Sequence, residues 1–325
     1  MNVLITGGLG YIGSHICEKL ISDSCNITVV DNLSNSDLSV VEKIKQITGK
    51  DFQYYIGDIL DEALLDQIFC INEFDAVIHL AGLKAVKESV TKPLSYYQNN
   101  VSGSINLLKT MQKYKVHNIV FSSSATVYGE PKYLPIDEEH QLGPVNPYGQ
   151  TKLLIENILS DLYASTSKWS IMVLRYFNPI GAHESGLIGD NPNGLPNNLM
   201  PFISRVAQGH IDKLEVFGDH YSTIDGTGVR DYIHVSDLAC GHCDALEYVM
   251  SKSNKFEIIN LGTGIGTSVL ELISAYEKTN RIKVPFVVSK PRSGDVDSCL
   301  SDLLQPASPL LSQQALCAQS ALCCL

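Results

Sequence analysis

The chain has 325 residues, 44% of them hydrophobic and 18% charged, and its 24 basic and 35 acidic side chains leave it at −11. So much apolar content excludes a disordered chain, and the net negative charge argues against broad binding to nucleic acid or an anionic membrane. No apolar run approaches the roughly 20 residues a bilayer crossing needs, so no membrane partner is expected.

The first half alternates short apolar runs with helix-like periodicity. Strands are expected at Val3–Ile5, Ile27–Val30, Phe52–Ile56, Ala76–Ile78 and Asn118–Phe121, with helices such as Ser14–Ser22 and Ser104–Lys115 between them. A helix over Tyr148–Ser165 and a sixth strand at Ile171–Leu174 follow. This order implies a doubly wound parallel sheet covered on both faces. Beyond Gly181 the texture changes. Asp190–Pro201 reads as loop, followed by a helix near Phe202–Gln208, a strand near Leu214–Phe217, a helix near Val235–Met250 and a strand at Ile258–Leu261. Residues 1–180 are expected to form the main domain, with later returns to its sheet. Residues 181–302 then form a smaller α/β domain, and 303–325 an atypical tail without a charged residue.

The nine cysteines are scattered along the chain, and Met1 leads into an apolar run without a basic leader. Reduced thiols in the cytoplasm are therefore expected.

Gly7-Gly-Leu-Gly10-Tyr-Ile-Gly13 follows a strand and opens a helix. Gly7 permits the tight turn, Gly10 lets backbone approach a pyrophosphate, and Gly13 lets helix and strand pack closely. Amides at the helix start would face the phosphates. Asp31 closes the second strand 18 residues after Gly13, where a carboxylate bonds the adenosine ribose and repels a 2′-phosphate. NAD is expected rather than NADP. Asp58 reads equally as an adenine contact or a turn cap.

Tyr148 and Lys152 stand four apart at the start of the long helix, so they share a face. A lysine ~4 Å away at an effective dielectric of ~20 contributes ~4 kcal/mol, or about three pKa units. Burial opposes that shift and a cationic nicotinamide adds to it. The balance is expected to bring Tyr148 to about 7, where a general base works best. Alone, such a pair reads as exposed helix residues. Ser122-Ser-Ser124 at the end of the fifth strand lies where α/β sheets bind ligands, and its hydroxyls could share a substrate proton with Tyr148.

Three strings together resemble the extended short-chain dehydrogenase/reductases: Thr6–Gly13, Ser122-Ser-Ser-Ala-Thr-Val-Tyr-Gly129 and Tyr148-x-x-x-Lys152. Four more resemble the UDP-glucose 4-epimerase family over roughly residues 1–302: Leu80–Val86, Arg175–Ala182, Pro196–Pro201 and Gly226–Val235. The resemblance implies a Rossmann-type fold with a smaller C-terminal substrate-binding α/β domain, and a homodimer. It also implies epimerisation at C4 of UDP-galactose and UDP-glucose through a 4-keto sugar. By this resemblance Tyr148 moves the O4 proton, Ser124 assists, and Lys152 tunes Tyr148 while bonding the nicotinamide ribose. NAD contacts are implied for Tyr11, Ile12, Asn32, Asn35, Ile59, Leu80, Lys84, Asn99 and Tyr176. UDP-sugar contacts are implied for Ala125, Thr126, Tyr176, Phe177, Asn178, Asn197, Asn198, Leu199, Phe217 and Asp295, with Arg230 and Arg292 on the diphosphate. Cys299 stands where relatives often carry a bulky tyrosine, which leaves room for an N-acetyl group and predicts turnover of UDP-GalNAc and UDP-GlcNAc.

Other signals point elsewhere. Cys240-Gly-His-Cys243 copies a disulfide-exchange motif but lies inside a helical pattern, so it reads as packing. Gly262-Thr-Gly-Ile-Gly266 follows a strand like a second nucleotide loop, yet matches a loop of the family's substrate domain. The histidines show no metal spacing, so no metal is expected. A 4,6-dehydratase would carry Asp-Glu where this chain has Ala125-Thr126. The departure after Asp302 leaves a catalytically impaired NAD-binding remnant as the other alternative.

Overall fold

The structure is a computed structural model and describes residues 1–302 apart from 195, 197, 252–253 and 292–294. Asn197, Arg292 and the 303–325 tail therefore lie outside the described residues.

In chain order the first part reads β1 (Asn2–Thr6), α1 (Tyr11–Ser22), β2 (Asn26–Asp31), α2 (Ser39–Thr48), β3 (Gln53–Ile56), α3 (Glu62–Ile71) and β4 (Ala76–His79). Two short helices, α4 (Val86–Thr91) and α5 (Pro93–Tyr96), and a π-helical turn at Tyr97–Ser102 lead into α6 (Gly103–Lys113). Then come β5 (Asn118–Ser122), α7 (Pro147–Ser165), β6 (Ser170–Tyr176), β7 (Asn178–Ile180), α8 (Leu199–Ala207), β8 (Leu214–Phe217) and β9 (Val229–His234). The chain closes with α9 (Val235–Ser251), β10 (Lys255–Leu261), β11 (Gly266–Ser268), α10 (Val269–Asn280), β12 (Phe286–Ser289) and β13 (Ser298–Cys299).

Seven parallel strands form the main sheet in the order β10-β6-β5-β4-β1-β2-β3. Alternation along each strand divides its side chains between two cores. Val3 and Ile5 face one core with α1 and α9; Leu4 faces the other with α3, α6 and α7. Ala76 and Ile78 part from Val77 in the same way, and Val120 from Ile119 and Phe121. Because both faces are covered, the strands read as apolar runs rather than as alternating ones.

Two later elements return to this sheet. β10 pairs with β6, and α9 lies across the face that carries α1. The remaining strands build a smaller layer in which β9 joins β7, β11 and β13, while β8 pairs with β12. Helices α8 and α10 cover it around Ile203, Val206, Leu214, Val216 and Leu272.

Boundaries moved where a cap or a proline acts. The expected helix near 202 begins at Leu199, because Asn198 holds an extended N-cap backbone and Pro201 falls in the first turn, where a missing N–H costs nothing. Helix α7 starts at Pro147 for the same reason, with Asn146 Oδ1 accepting from Gly149 N at 2.9 Å. Among the described residues no helix is long and apolar enough to cross a membrane.

Candidate active site

The strand order reverses between β1 and β4, the place where open α/β sheets leave a crevice. Gly7 turns the chain there at φ +73°, and a Cβ on it would lie 2.9 Å from Ala81 N. At Gly13 a Cβ would meet Gly7 O at 2.3 Å, so the helix can approach only without one. Gly10 differs. Its Cβ would meet nothing nearer than Gly7 O at 3.4 Å, so this backbone faces open space. It is also the N-cap of α1, with no side-chain cap and no acidic residue in the first turn. Free amides at a 12-residue helix start suit a diphosphate. The residues fit a dinucleotide.

Asp31 is buried at the end of β2. Its Oδ2 accepts from Leu9 N at 3.0 Å, and Oδ1 accepts from Leu33 N at 2.9 Å and Ser36 Oγ at 2.8 Å. The carboxylate thus ties the glycine loop to the strand end where a ribose would sit. Asp58 caps its turn by accepting from Leu60 N at 2.9 Å, and it also accepts from Asn32 Nδ2 at 2.8 Å. Ile59 is buried beside it, and Asn35 shares a pocket wall with Gly10 and Tyr11. The Tyr11 hydroxyl donates to Gly181 O at 2.7 Å, joining this loop to the second part of the chain. Ile12 and Leu80 pack on the core beneath. Lys84 is exposed on the loop after β4, and Asn99 is half-buried in the π-helical turn. That turn sits where such irregularities often mark function.

Sequence reasoning missed the neighbouring Asn100. It is 1% exposed; its Oδ1 accepts from Leu83 N at 2.7 Å, and its Nδ2 donates to Leu83 O at 3.0 Å and Thr151 Oγ1 at 3.0 Å. It therefore clamps the Lys84 loop to α7. A buried line runs beside it. Thr6 Oγ1 bonds His79 Nδ1 at 2.7 Å, and His79 Nε2 bonds Ser104 Oγ at 2.8 Å.

At the end of β5, Ser124 Oγ accepts from Thr126 N at 3.2 Å and Thr126 Oγ1 at 3.0 Å, beside Ala125 in a short 3-10 turn. Ser124 and Tyr148 share a hydrogen bond. Lys152 is 4% exposed and donates to Ser122 O at 2.7 Å. Burial pulls its ammonium down to about 8. The expectation for Tyr148 is corrected here. Burial pushes its phenol up to about 12, and only the Ser124 hydrogen bond opposes this. Lys152 Nζ is aimed at the Ser122 carbonyl and lies 6.0 Å from the Tyr148 ring centre, so its charge does not offset the lost hydration.

Among the residues implied for the UDP-sugar, Tyr176 is half-buried, and burial raises its phenol far above the usual range. Phe177 is buried, its N–H donating to Leu261 O at 3.0 Å, while Asn178 is exposed on β7. Asn198 Nδ2 donates to Asp190 Oδ2 at 2.7 Å, Leu199 opens α8, and Phe217 ends β8 half-buried. Arg230 Nη2 donates to Asp295 Oδ1 at 2.7 Å, so two residues named from sequence are brought together. Cys299 pairs in register with Arg230 and packs against the cluster of Ala125, Val127, Tyr128 and Phe177. Burial pushes its thiol up to about 11.

The second glycine loop holds its own carboxylate. Asp231, fully buried, accepts from Thr263 N at 2.8 Å, Thr263 Oγ1 at 2.6 Å, Gly264 N at 2.9 Å and Ser301 Oγ at 2.6 Å. Cys240 and Cys243 lie within α9, and burial raises both thiols.

Residues 3–262 match the NAD dependent epimerase/dehydratase family. The chain is 54% identical over 302 residues to the UDP-glucose 4-epimerase of Bacillus subtilis, covering 93% of this chain and 89% of that one. It superposes with a TM-score of 0.90 on UDP-glucose 4-epimerase from Bifidobacterium longum in complex with NAD+ and UDP, at 50% identity, covering 93% of this chain and 90% of that one. The UDP-Glc/GlcNAc 4-epimerase from Campylobacter jejuni superposes at 0.79 with 33% identity, covering 99% and 98%. With its cradle, serine turn and Tyr-x-x-x-Lys helix in the same frame, the chain belongs to the NAD dependent epimerase/dehydratase family.

Proposed function

We propose that the chain interconverts UDP-galactose and UDP-glucose through a transient 4-keto sugar, with NAD as its cofactor. The observation that carries this is the meeting of Ser124, Tyr148 and Lys152 beyond the end of β5, beside the glycine cradle. C4 of a hexose carries no acidic hydrogen, so inversion needs oxidation and reduction rather than proton exchange. Bound NAD would supply that oxidation and return the hydride to the opposite face of the ring.

The protein's own groups do the rest. Gly10 leaves the space for the diphosphate, with the turn at Gly7 and the close packing at Gly13 setting the loop around it, and Asp31 would face the ribose. Tyr148 takes the O4 proton and gives it back, with Ser124 on the same proton path. A phenol held at about 12 becomes a base only as positive charge is brought beside it. Lys152 gives one N–H to Ser122 O and keeps the others for the ribose and the phenol. Arg230, with Arg292, would grip the diphosphate as Asp295 yields its place. Asn178, Asn198, Leu199 and Phe217 would border uridine and sugar. Ala125-Thr126 offers no acid–base pair for a dehydratase.

Purified protein given UDP-galactose should form UDP-glucose, and deuterium at C4 should stay in the product. Loss of that label to water sinks the mechanism; bound NAD without turnover supports the remnant instead.

The same reading assigns residues 1–180 with α9 and β10 to NAD, and 181–302 to the UDP-sugar. It also covers a homodimer and a cytoplasmic location, the latter alone in keeping with six described cysteines that are free thiols. A groove between α6 and α7, lined by Ile105, Leu108, Ile158 and Leu162, would take a second copy. Sedimentation of Leu162→Glu as a monomer beside a dimeric parent supports this. A narrower reading rests on Cys299, which packs against the Ala125 cluster; a side chain this much smaller than tyrosine would let an N-acetyl group fit beside it. Turnover of UDP-GalNAc tests it; no product where UDP-galactose reacts excludes it.

A further inference from the structure

The middle of the Cys240-Gly-His-Cys243 string is not inert packing. His242 is fully buried, and its Nδ1 bonds Leu238 O at 2.8 Å. A carbonyl can only accept, so Nδ1 carries the proton and Nε2 is left as an acceptor. Nε2 lies 2.7 Å from Ser122 Oγ, whose hydroxyl must therefore donate. The carbonyl of the same Ser122 receives Lys152 Nζ at 2.7 Å.

The two partners of Ser122 come from opposite faces of the sheet. Along β5, Phe121 points to the core under α7, while Val120 points to the core under α9. Ser122 therefore also points toward α9, where it meets His242. Lys152 reaches the carbonyl over the strand end from α7. Helix α9 also sets His242 6.0 Å from the ring of Tyr176.

We infer that His242 is a positioning residue for Lys152, acting through Ser122: the imidazole accepts the serine hydroxyl's hydrogen bond, so the hydroxyl cannot turn to compete for the ammonium, and the strand-end carbonyl stays its acceptor. A buried hydroxyl deprived of that acceptor must find another. The Ser122 carbonyl that holds Lys152 belongs to the same residue, so a hydroxyl turning to find a new acceptor disturbs the strand end that anchors the ammonium. A small misplacement of such a group costs turnover out of proportion to the distance. Helix α9 belongs to the later half of the chain, so this bond makes the catalytic lysine depend on a residue about ninety positions away.

The inference rests on the epimerase reading, and the test uses full-length protein with NAD bound. His242→Leu should lower kcat about tenfold with KM changed less than about twofold. His242→Gln, which returns an acceptor toward Ser122, should recover most of the rate. In a Ser122→Ala background His242→Leu should cost nothing further, because the path is already cut. A second readout needs no turnover: the rate at which acetic anhydride acetylates Lys152, followed by peptide mass. It should change in His242→Leu and Ser122→Ala and return in His242→Gln. Unchanged Lys152 acetylation in all variants overturns the inference, as does a His242→Leu loss that persists undiminished in Ser122→Ala. If the parent protein fails to turn over while Lys152 responds as described, the epimerase reading falls and the positioning role stands.

Discussion

Glu156 and Arg175 form an ion pair closed to water, with Arg175 Nη2 2.7 Å from Glu156 Oε2 and Nε 3.2 Å from both carboxylate oxygens. Ser123 donates to the same carboxylate, and Arg175 Nη1 donates to Tyr128 OH at 3.1 Å. The pair thus stands directly behind the serine turn. Replacing Arg175 with Met strands a buried carboxylate and should cost about 3–5 kcal/mol. Adding Glu156→Leu to it should recover part of that loss. Urea midpoints of the three proteins check both statements.

Tyr148→Phe removes the phenol oxygen proposed to move the O4 proton while keeping the ring in its buried slot. Turnover should fall by about 10²–10⁴-fold, with NAD content per chain unchanged. A variant of full rate would remove Tyr148 from the chemistry.

Three buried histidines set an acid limit. Burial holds His79 down to about 3, and His15 and His242 down to about 4. In the unfolded chain each titrates near about 6.5. Below that pH the unfolded state binds protons that the folded state refuses, so stability is full above it and is lost as pH falls toward 4. With three such groups the slope approaches about 4 kcal/mol per pH unit near pH 5. Denaturant midpoints between pH 7 and 5 should fall accordingly, and His79→Asn should flatten the slope.

Asp231→Asn keeps the shape of the side chain but turns one acceptor into a donor facing Thr263, Gly264 and Ser301. A loss of about 3 kcal/mol or more is expected. Strand β13 should loosen first, seen as faster amide exchange at Ser298 and Cys299, which pair with β9.

Asp31→Ser should weaken NAD binding about tenfold or more, because Leu9 N loses its charged acceptor. It should also narrow the preference over NADP, since the charge that repels a 2′-phosphate is gone. Titration of both dinucleotides against protein stripped of cofactor measures the ratio.

Much of the main sheet was legible because a strand buried on both faces is written as one apolar run, as in Ala76–Ile78. The glycine loop was legible because its glycines are demanded locally, by a positive φ at Gly7 and a backbone contact at Gly13. Tyr148 and Lys152 share a helical face at a fixed spacing, so their proximity followed from sequence alone. The charge state of Tyr148 did not, because burial depends on everything packed around it.

What sequence by itself determined is the set of short-range features: strand runs, the turn glycines and the Tyr-x-x-x-Lys face. Tertiary structure alone decided which carboxylate fills the second glycine loop, that Asn100 rather than Asn99 clamps α7, and that His242 reaches Ser122. Each of these joins residues far apart in the chain, and no local periodicity records which distant donor meets which acceptor. The phenol at Tyr148 belongs with them, since hydration is lost to neighbours the spacing of two residues cannot count.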